Sequence, residues 1–234
     1  MPVVGLPSAL EGYRIAHLTD LHLGGLGALH DRLVADLDAR APRLVAITGD
    51  AVESREALPA LSGLCARLAR PGRAVVASLG NWEHWARLEP GRLRDLYAGH
   101  GARLLVNASA AIEDGLAVAA TDDLVGGEPQ LERACRELPA GGVRILLTHS
   151  PALADLPAAS GQRFDLVLAG HTHGGQVRLP GPVRFRPRGS GRFCDGFYDT
   201  PLGRMYVSRG LGTSILPVRF ACRPELAFFT LVPG

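Results

Sequence analysis

The chain has 234 residues, of which 47% are hydrophobic and 21% charged, which excludes a mainly disordered polypeptide and leaves enough length to bury a core without staples. Its 25 basic residues are all arginines and face 23 acidic ones, for a formal charge of +2, too small an excess for a dedicated nucleic-acid binder. Four widely spaced cysteines, Cys65, Cys135, Cys194 and Cys222, form no CxxC pair, so reduced thiols are expected in place of a zinc ribbon or a redox motif.

Short apolar runs alternate with helical patterns through the first two thirds. Tyr13–Thr19 predicts a strand, and Leu29–Arg40 a helix with Leu29, Leu33, Val34 and Leu37 on one face. Arg43–Thr48 predicts a second strand, Arg55–Arg70 a second helix closed by Pro71-Gly72, and Arg73–Leu79 a third strand. A short helix follows near Arg92–Gly99, then strands near Ala102–Val106 and Leu116–Thr121, a helix over Gln130–Leu138, and strands over Val143–Thr148 and Phe164–Ala169. This order predicts an α/β layered architecture. Beyond Gly170, short strands at Arg192–Tyr198, Arg204–Ser208 and Leu226–Val232 are expected as antiparallel hairpins completing a second sheet. No polar linker divides the chain, so one domain over residues 1–234 is expected. All apolar runs are strand-length, and Met1–Gly12 lacks a basic region followed by an apolar run. A cytoplasmic protein, with at most peripheral contact at the inner membrane face, is therefore expected.

The informative residues stand at the ends of strands. Five apolar runs finish on Asp20-Leu-His22, Gly49-Asp50, Gly80-Asn81, His149 and Gly170-His171-Thr-His173. Open α/β sheets bind ligands outside the carboxyl ends of their strands, so these groups are expected to converge at one edge. Side chains two apart in an extended segment share a face, which pairs Asp20 with His22 and His171 with His173. Glycines before Asp50, Asn81 and His171 permit sharp turns and close backbone approach. Two carboxylates, one amide and four imidazoles exceed what one tetrahedral ion takes. They suit two ions sharing a bridging carboxylate. Nitrogen and oxygen ligands without thiolate point to manganese first, with iron, zinc or cobalt as the other choices. Two metals about 3.5–4 Å apart are a known solution for in-line displacement at phosphorus.

In this order the five motifs resemble the calcineurin-like metallophosphoesterases. The tail, Ser208–Phe220 with Arg223-Pro-Glu225, resembles the bacterial branch of phosphodiesterases similar to YkuE and YaeI. The resemblance implies a four-layer αββα sandwich of two facing mixed sheets. It implies that Asp20, His22 and His173 bind one metal, that Asp50 bridges, and that Asn81, His149 and His171 bind the second. The activity implied is binuclear metal-dependent hydrolysis of a phosphodiester or pyrophosphate bond by a metal-bound hydroxide. A narrower alternative is a UDP-2,3-diacylglucosamine pyrophosphatase of lipid A synthesis. A catalytically impaired metal-binding scaffold is another. The expected partner is a small phosphorylated substrate, nucleotide- or lipid-linked.

One motif departs from the family. Its third motif carries a histidine after the asparagine, the proposed acid for the leaving group, whereas here Gly80-Asn81 is followed by Trp82-Glu83-His84. In an extended loop His84 would face the same side as Trp82, displaced by roughly 7 Å. His84 is thus the candidate displaced acid. The alternatives are a substrate contact, or a leaving group that departs without a proton. Arg178 and Arg184 belong to a run from Arg178 to Arg192 that holds five arginines and no acidic residue. That run reads either as a solvated loop or as an anion-attracting lip, with Arg178 and Arg184 as candidate substrate-binding residues.

Overall fold

The computed structural model describes residues 1–156, 161–180 and 186–234. Its first half holds β1 (Pro2–Val3), β2 (Arg14–Leu18), α1 (Ala28–Arg40), β3 (Leu44–Thr48), α2 (Leu58–Leu68), β4 (Ala74–Ser78), α3 (Asn81–Trp85), α4 (Pro90–Ala98) and β5 (Arg103–Leu104). There follow β6 (Ala108–Glu113), β7 (Leu116–Ala120), α5 (Leu131–Cys135), β8 (Val143–Leu147), β9 (Phe164–Ala169), β10 (Gly196–Thr200), β11 (Gly203–Val207), β12 (Ala227–Thr230) and β13 (Val232–Pro233).

Two mixed sheets result. The first runs β12-β2-β3-β4-β5, parallel except for β12, and the second runs β10-β11-β9-β8-β7-β6, with β10 and β6 antiparallel to their neighbours. The period-two alternation of each strand sorts its side chains between layers. Ala16, Leu18, Val45, Ile47, Val75 and Ala77 face α1, α2 and α4 in one apolar cluster. Ile15, Leu44, Ala46 and Val76 turn the other way and meet Val118, Ile145, Leu147, Leu166 and Leu168 of the second sheet. A third cluster joins the outer face of that sheet to Leu131 and Ala134 of α5, to Leu153 and to Phe193. Both sheets are thus buried on two faces, which is why their central strands read as continuous apolar runs.

Three expectations about the elements are corrected. Asn81–Trp85 is a helical turn, not an extended loop. The strand expected at Arg192–Tyr198 lies at Gly196–Thr200. The strand expected at Leu226–Val232 does not complete the second sheet; β12 pairs with β2 in the first, and β13 pairs with β1. Among the described residues no helix is long and apolar enough to cross a membrane.

Candidate metal centre

The strand ends of both sheets meet at one edge. The turns there are unusually tight, because Asp20, His22, Asp50, His171 and His173 all adopt positive φ, between 44° and 71°. Aspartate and histidine enter this region more readily than most residues, yet each such residue still costs on the order of 1–2 kcal/mol. Backbone contacts hold the strain in place. A Cβ at Gly80 would collide with the Asp50 carboxylate, and one at Gly170 with Thr19 and Asp20. Only glycine lets the β3 and β4 turns, and the β2 and β9 turns, close on each other.

These turns aim two groups of side chains inward. Asp20, His22 and His173 form one group and Asp50, His149 and His171 the other; within each, one ligand atom per residue lies within 4.8 Å of the rest. The expected pairing of His171 with His173 does not hold, because both have positive φ and the segment is not extended. In the first group His22 Nε2 is 3.0 Å from His173 Nε2, and His173 Nε2 is 3.3 Å from Asp20 Oδ1. In the second, His149 Nε2 lies 3.1 Å from Asp50 Oδ2, 3.1 Å from His171 Nδ1 and 3.2 Å from Asn81 Oδ1. Asp50 Oδ2 also lies 3.8 Å from His22 Nε2, so one carboxylate oxygen faces both groups.

Hydrogen bonds behind the rings decide which nitrogens carry lone pairs. His149 Nδ1 donates to the Thr48 carbonyl at 2.8 Å, and His171 Nε2 donates to the Arg188 carbonyl at 2.7 Å. The facing nitrogens, His149 Nε2 and His171 Nδ1, are then lone-pair donors pointed at each other and at Asp50. His22 Nδ1 lies 2.7 Å from Glu53 Oε1, an ion-pair contact, while its Nε2 faces Asp50 and His173. Such back-side partners are the usual means of fixing a ligating tautomer. Buried lone pairs converging without hydrogens between them repel one another, and a cation removes that repulsion. The donor set therefore fits two divalent ions.

Electrostatics shows that the site draws positive charge. Burial alone would raise Asp50, but the His149 imidazole and the Trp82 N–H donating to its Oδ1 at 2.9 Å hold it below the usual carboxylate range. Burial works against charge on His149, yet Asp50 and Asp20 outweigh it and keep its pKa well above the ordinary imidazole value, so without an ion a proton takes the Nε2 position that a cation would displace. Burial, with the His22 and Arg219 charges, pushes His173 down to about 4.

Three residues that sequence reasoning passed over hold this arrangement. The buried Glu83 carboxylate accepts four backbone N–H bonds, from Asp50 at 3.0 Å, Ala51 at 2.6 Å, Val52 at 3.2 Å and Gly80 at 2.9 Å. It ties the β3 turn to the β4 turn and starts α3. A glutamate three residues past a helix-capping glycine was the available signal. Glu53 backs His22, as above. Arg219, in the tail, places Nη2 3.4 Å from His173 Nδ1 and donates to the Gly212 and Arg209 carbonyls at 2.8 Å. The same tail clasps the β2 turn: Leu211 and Gly212 N–H donate to the Thr19 and Asp20 carbonyls. Glu225 anchors it through Arg209 Nε at 2.9 Å and through the Tyr206 hydroxyl.

The other expected residues stand elsewhere. Because Asn81–Trp85 is helical, Trp82 and His84 point to different sides. His84 Nε2 pairs with Asp122 Oδ1 at 2.7 Å and does not line the cavity in front of the metal groups. Arg178 donates from Nε to the Gly174 carbonyl at 2.6 Å and pairs with Asp195 at 2.5 Å, bracing the turn after His173 and also not lining that cavity. Arg184 lies outside the described residues. The described part of the arginine run touches the site through the Arg188 carbonyl behind His171. The cavity itself measures about 490 Å³ and exposes Asp50, Asn81, His171 and His173 at its base.

Comparison with known proteins agrees with this geometry. Residues 13–175 match the family model of the calcineurin-like phosphoesterases. The chain is 31% identical to the uncharacterized metallophosphoesterase YkuE of Bacillus subtilis, over 97% of this chain and 81% of that protein. It is 28% identical to the phosphodiesterase YaeI of Escherichia coli, over 94% and 82%. A dimetal phosphatase from Danio rerio superposes with a TM-score of 0.51 at 13% identity, over 86% of this chain and 88% of that one, which speaks to the fold alone. Two mixed sheets, two candidate metal-binding groups at their common edge and a family match across most of the chain agree, and the chain belongs to the calcineurin-like phosphoesterase family of phosphoric ester hydrolases.

Proposed function

We propose that this chain hydrolyses phosphodiester or pyrophosphate bonds with two divalent transition-metal ions, manganese foremost. Asp20, His22 and His173 would hold one ion, Asn81, His149 and His171 the other, and Asp50 would bridge them. The observation that carries the reading is the single Asp50 oxygen facing both imidazole groups. When bound, such a pair supplies Lewis acidity to an attacking water and to the phosphoryl oxygens. The chain's own part is orientation. The Glu83 clamp and the Trp82 N–H fix the Asp50 carboxylate, while the Thr48 and Arg188 carbonyls hold the His149 and His171 protons away from the centre.

The preference for pyrophosphates and for diesters with weakly basic leaving groups rests on Trp82, which occupies the place of an acid and has no proton to give at neutral pH. His84, engaged with Asp122, does not reach the cavity. A leaving group such as a phosphate or nucleotide departs without protonation, whereas a simple alkoxide does not.

Metal analysis of the purified chain followed by a substrate panel tests the reading. Two ions per chain are expected, and with manganese supplied, aryl phosphodiesters or UDP-2,3-diacylglucosamine should turn over faster than alkyl monoesters. Preference for alkyl monoesters would reverse the substrate assignment. Two bound ions with no turnover on any member would favour a scaffold.

A further inference from the structure

The cavity in front of the metal groups has two unlike ends. Its base is the ligand cluster, while its walls are Trp82, Trp85, Val177, Ile215 and Leu216. Among the described residues no charged side chain lines it beyond the cluster itself. At about 490 Å³ it has the volume of a small-molecule site, about 300–1,000 Å³ for such sites generally.

The outer wall is built at a cost the folded chain does not recover. Ile215 is 82% exposed, Leu216 60% and Trp85 55%. Ile215 also has φ 64°, a region that β-branched residues avoid. Gln176 ties this loop to the turn after His173. Its amide nitrogen donates to the Ser214 and Leu216 carbonyls at 3.1 and 2.9 Å, and its Oε1 accepts from the Ser214 N–H at 2.9 Å. Gln176 follows directly on the His173–Gly175 turn, so the apolar wall and a candidate metal ligand are fixed to one short segment. Exposed apolar surface that is strained, pinned and continuous with a reactive centre is a ligand surface.

Resting on the phosphohydrolase reading above, we infer that the Trp82, Trp85, Ile215 and Leu216 walls bind the hydrocarbon chain of an amphiphilic phosphoester whose phosphate sits at Asp50, His171 and His173. A nucleobase fits less well. The Gln176 amide spends both its N–H groups and one oxygen lone pair on the loop, which leaves few polar groups at that end to read a base edge.

The chain has two tryptophans, and both line this cavity, so intrinsic fluorescence reports on it without any turnover. The full chain with Mn²⁺ present is titrated with butyl, hexyl and octyl phosphonate below their micelle concentrations, and with uridine 5′-monophosphate. Emission should shift to the blue. The Kd should fall roughly three- to fivefold per added methylene, the factor for burying each group. The double substitution Ile215→Ser with Leu216→Ser lies on an exposed loop and should flatten that dependence. A Kd independent of chain length, unchanged emission, or uridine monophosphate binding as tightly as octyl phosphonate would each overturn the inference. Hydrolysis of a methyl aryl phosphodiester is measured beside it: if that fails while the chain-length dependence holds, the hydrolase reading falls and the apolar subsite stands.

Discussion

Replacing Glu83 by Gln changes one buried atom and tests how the site is held. The carboxylate receives four N–H donors, two on each oxygen. A glutamine keeps one oxygen and turns an NH₂ toward the other pair, so two buried N–H groups lose their acceptor whichever way the amide sits. Each unsatisfied donor costs about 1–3 kcal/mol, or about 2–6 kcal/mol for the pair. Part of that is returned, because burial and then the Asp50 charge already raise the Glu83 pKa and make the carboxylate unfavourable there. A net loss of about 2–4 kcal/mol is expected, against a total stability of about 5–15 kcal/mol for a typical domain. For a chain of this length that lowers Tm by roughly 4–16 °C. The assay is thermal and urea unfolding of parent and Glu83→Gln without added metal, followed by Mn²⁺ titration of each. Metal affinity should fall with stability, since the clamp orients Asp50 and Gly80-Asn81. A variant within about 0.5 kcal/mol of the parent, the range of an ordinary surface change, would refute the clamp.

The remaining predictions concern a candidate ligand and two other histidines. Asp50→Asn should reduce bound metal from two ions to one or none by metal analysis and lower phosphodiesterase activity by at least about 100-fold, the upper range for losing even a supporting group; retention of both ions would end the bridging assignment. His84→Ala should change kcat by a similar small factor for good and poor leaving groups, because its imidazole engages Asp122 and not the cavity; selective slowing of poor leaving groups, as an acid would show, would restore His84 to catalysis. His17 is fully buried, its Nε2 2.7 Å from Thr48 Oγ1, and burial depresses its pKa to about 4. Its folded value lies below the unfolded one of about 6.5, so the stability it lends is complete above that pH and is lost as pH falls toward 4. The loss amounts to about 3 kcal/mol, and urea unfolding of parent and His17→Gln across pH 4–7 should show that share of the acid slope missing in the variant.

What the sequence determined by itself was local. A strand announces itself by its own apolar run, and the polar residue that ends it is the next letter along, so Asp20, His22, Asp50, Asn81, His149, His171 and His173 were legible from five separate stretches. Their convergence followed from one rule about where parallel strands point. The expectation of two facing sheets held for the same reason, since each strand carries its own burial pattern. What only the tertiary structure decided involves partners far apart in the chain. The helical turn of Asn81–Trp85 is too short to show a periodicity, and its stability comes from Glu83 reaching the end of a different strand. Once that turn forms, successive side chains diverge by about 100° each, which sends His84 to Asp122 and leaves Trp82 at the cavity. Strand β12 joins the first sheet because its hydrogen-bonding edge matches β2, a choice that composition does not encode. The apolar cavity exists only because a tail loop carrying Ile215 and Leu216 is pinned by Gln176 opposite two tryptophans from another part of the chain. Local patterning selects elements and their faces, whereas the pairing of buried polar groups and the shape of the space between loops are properties of the assembled fold.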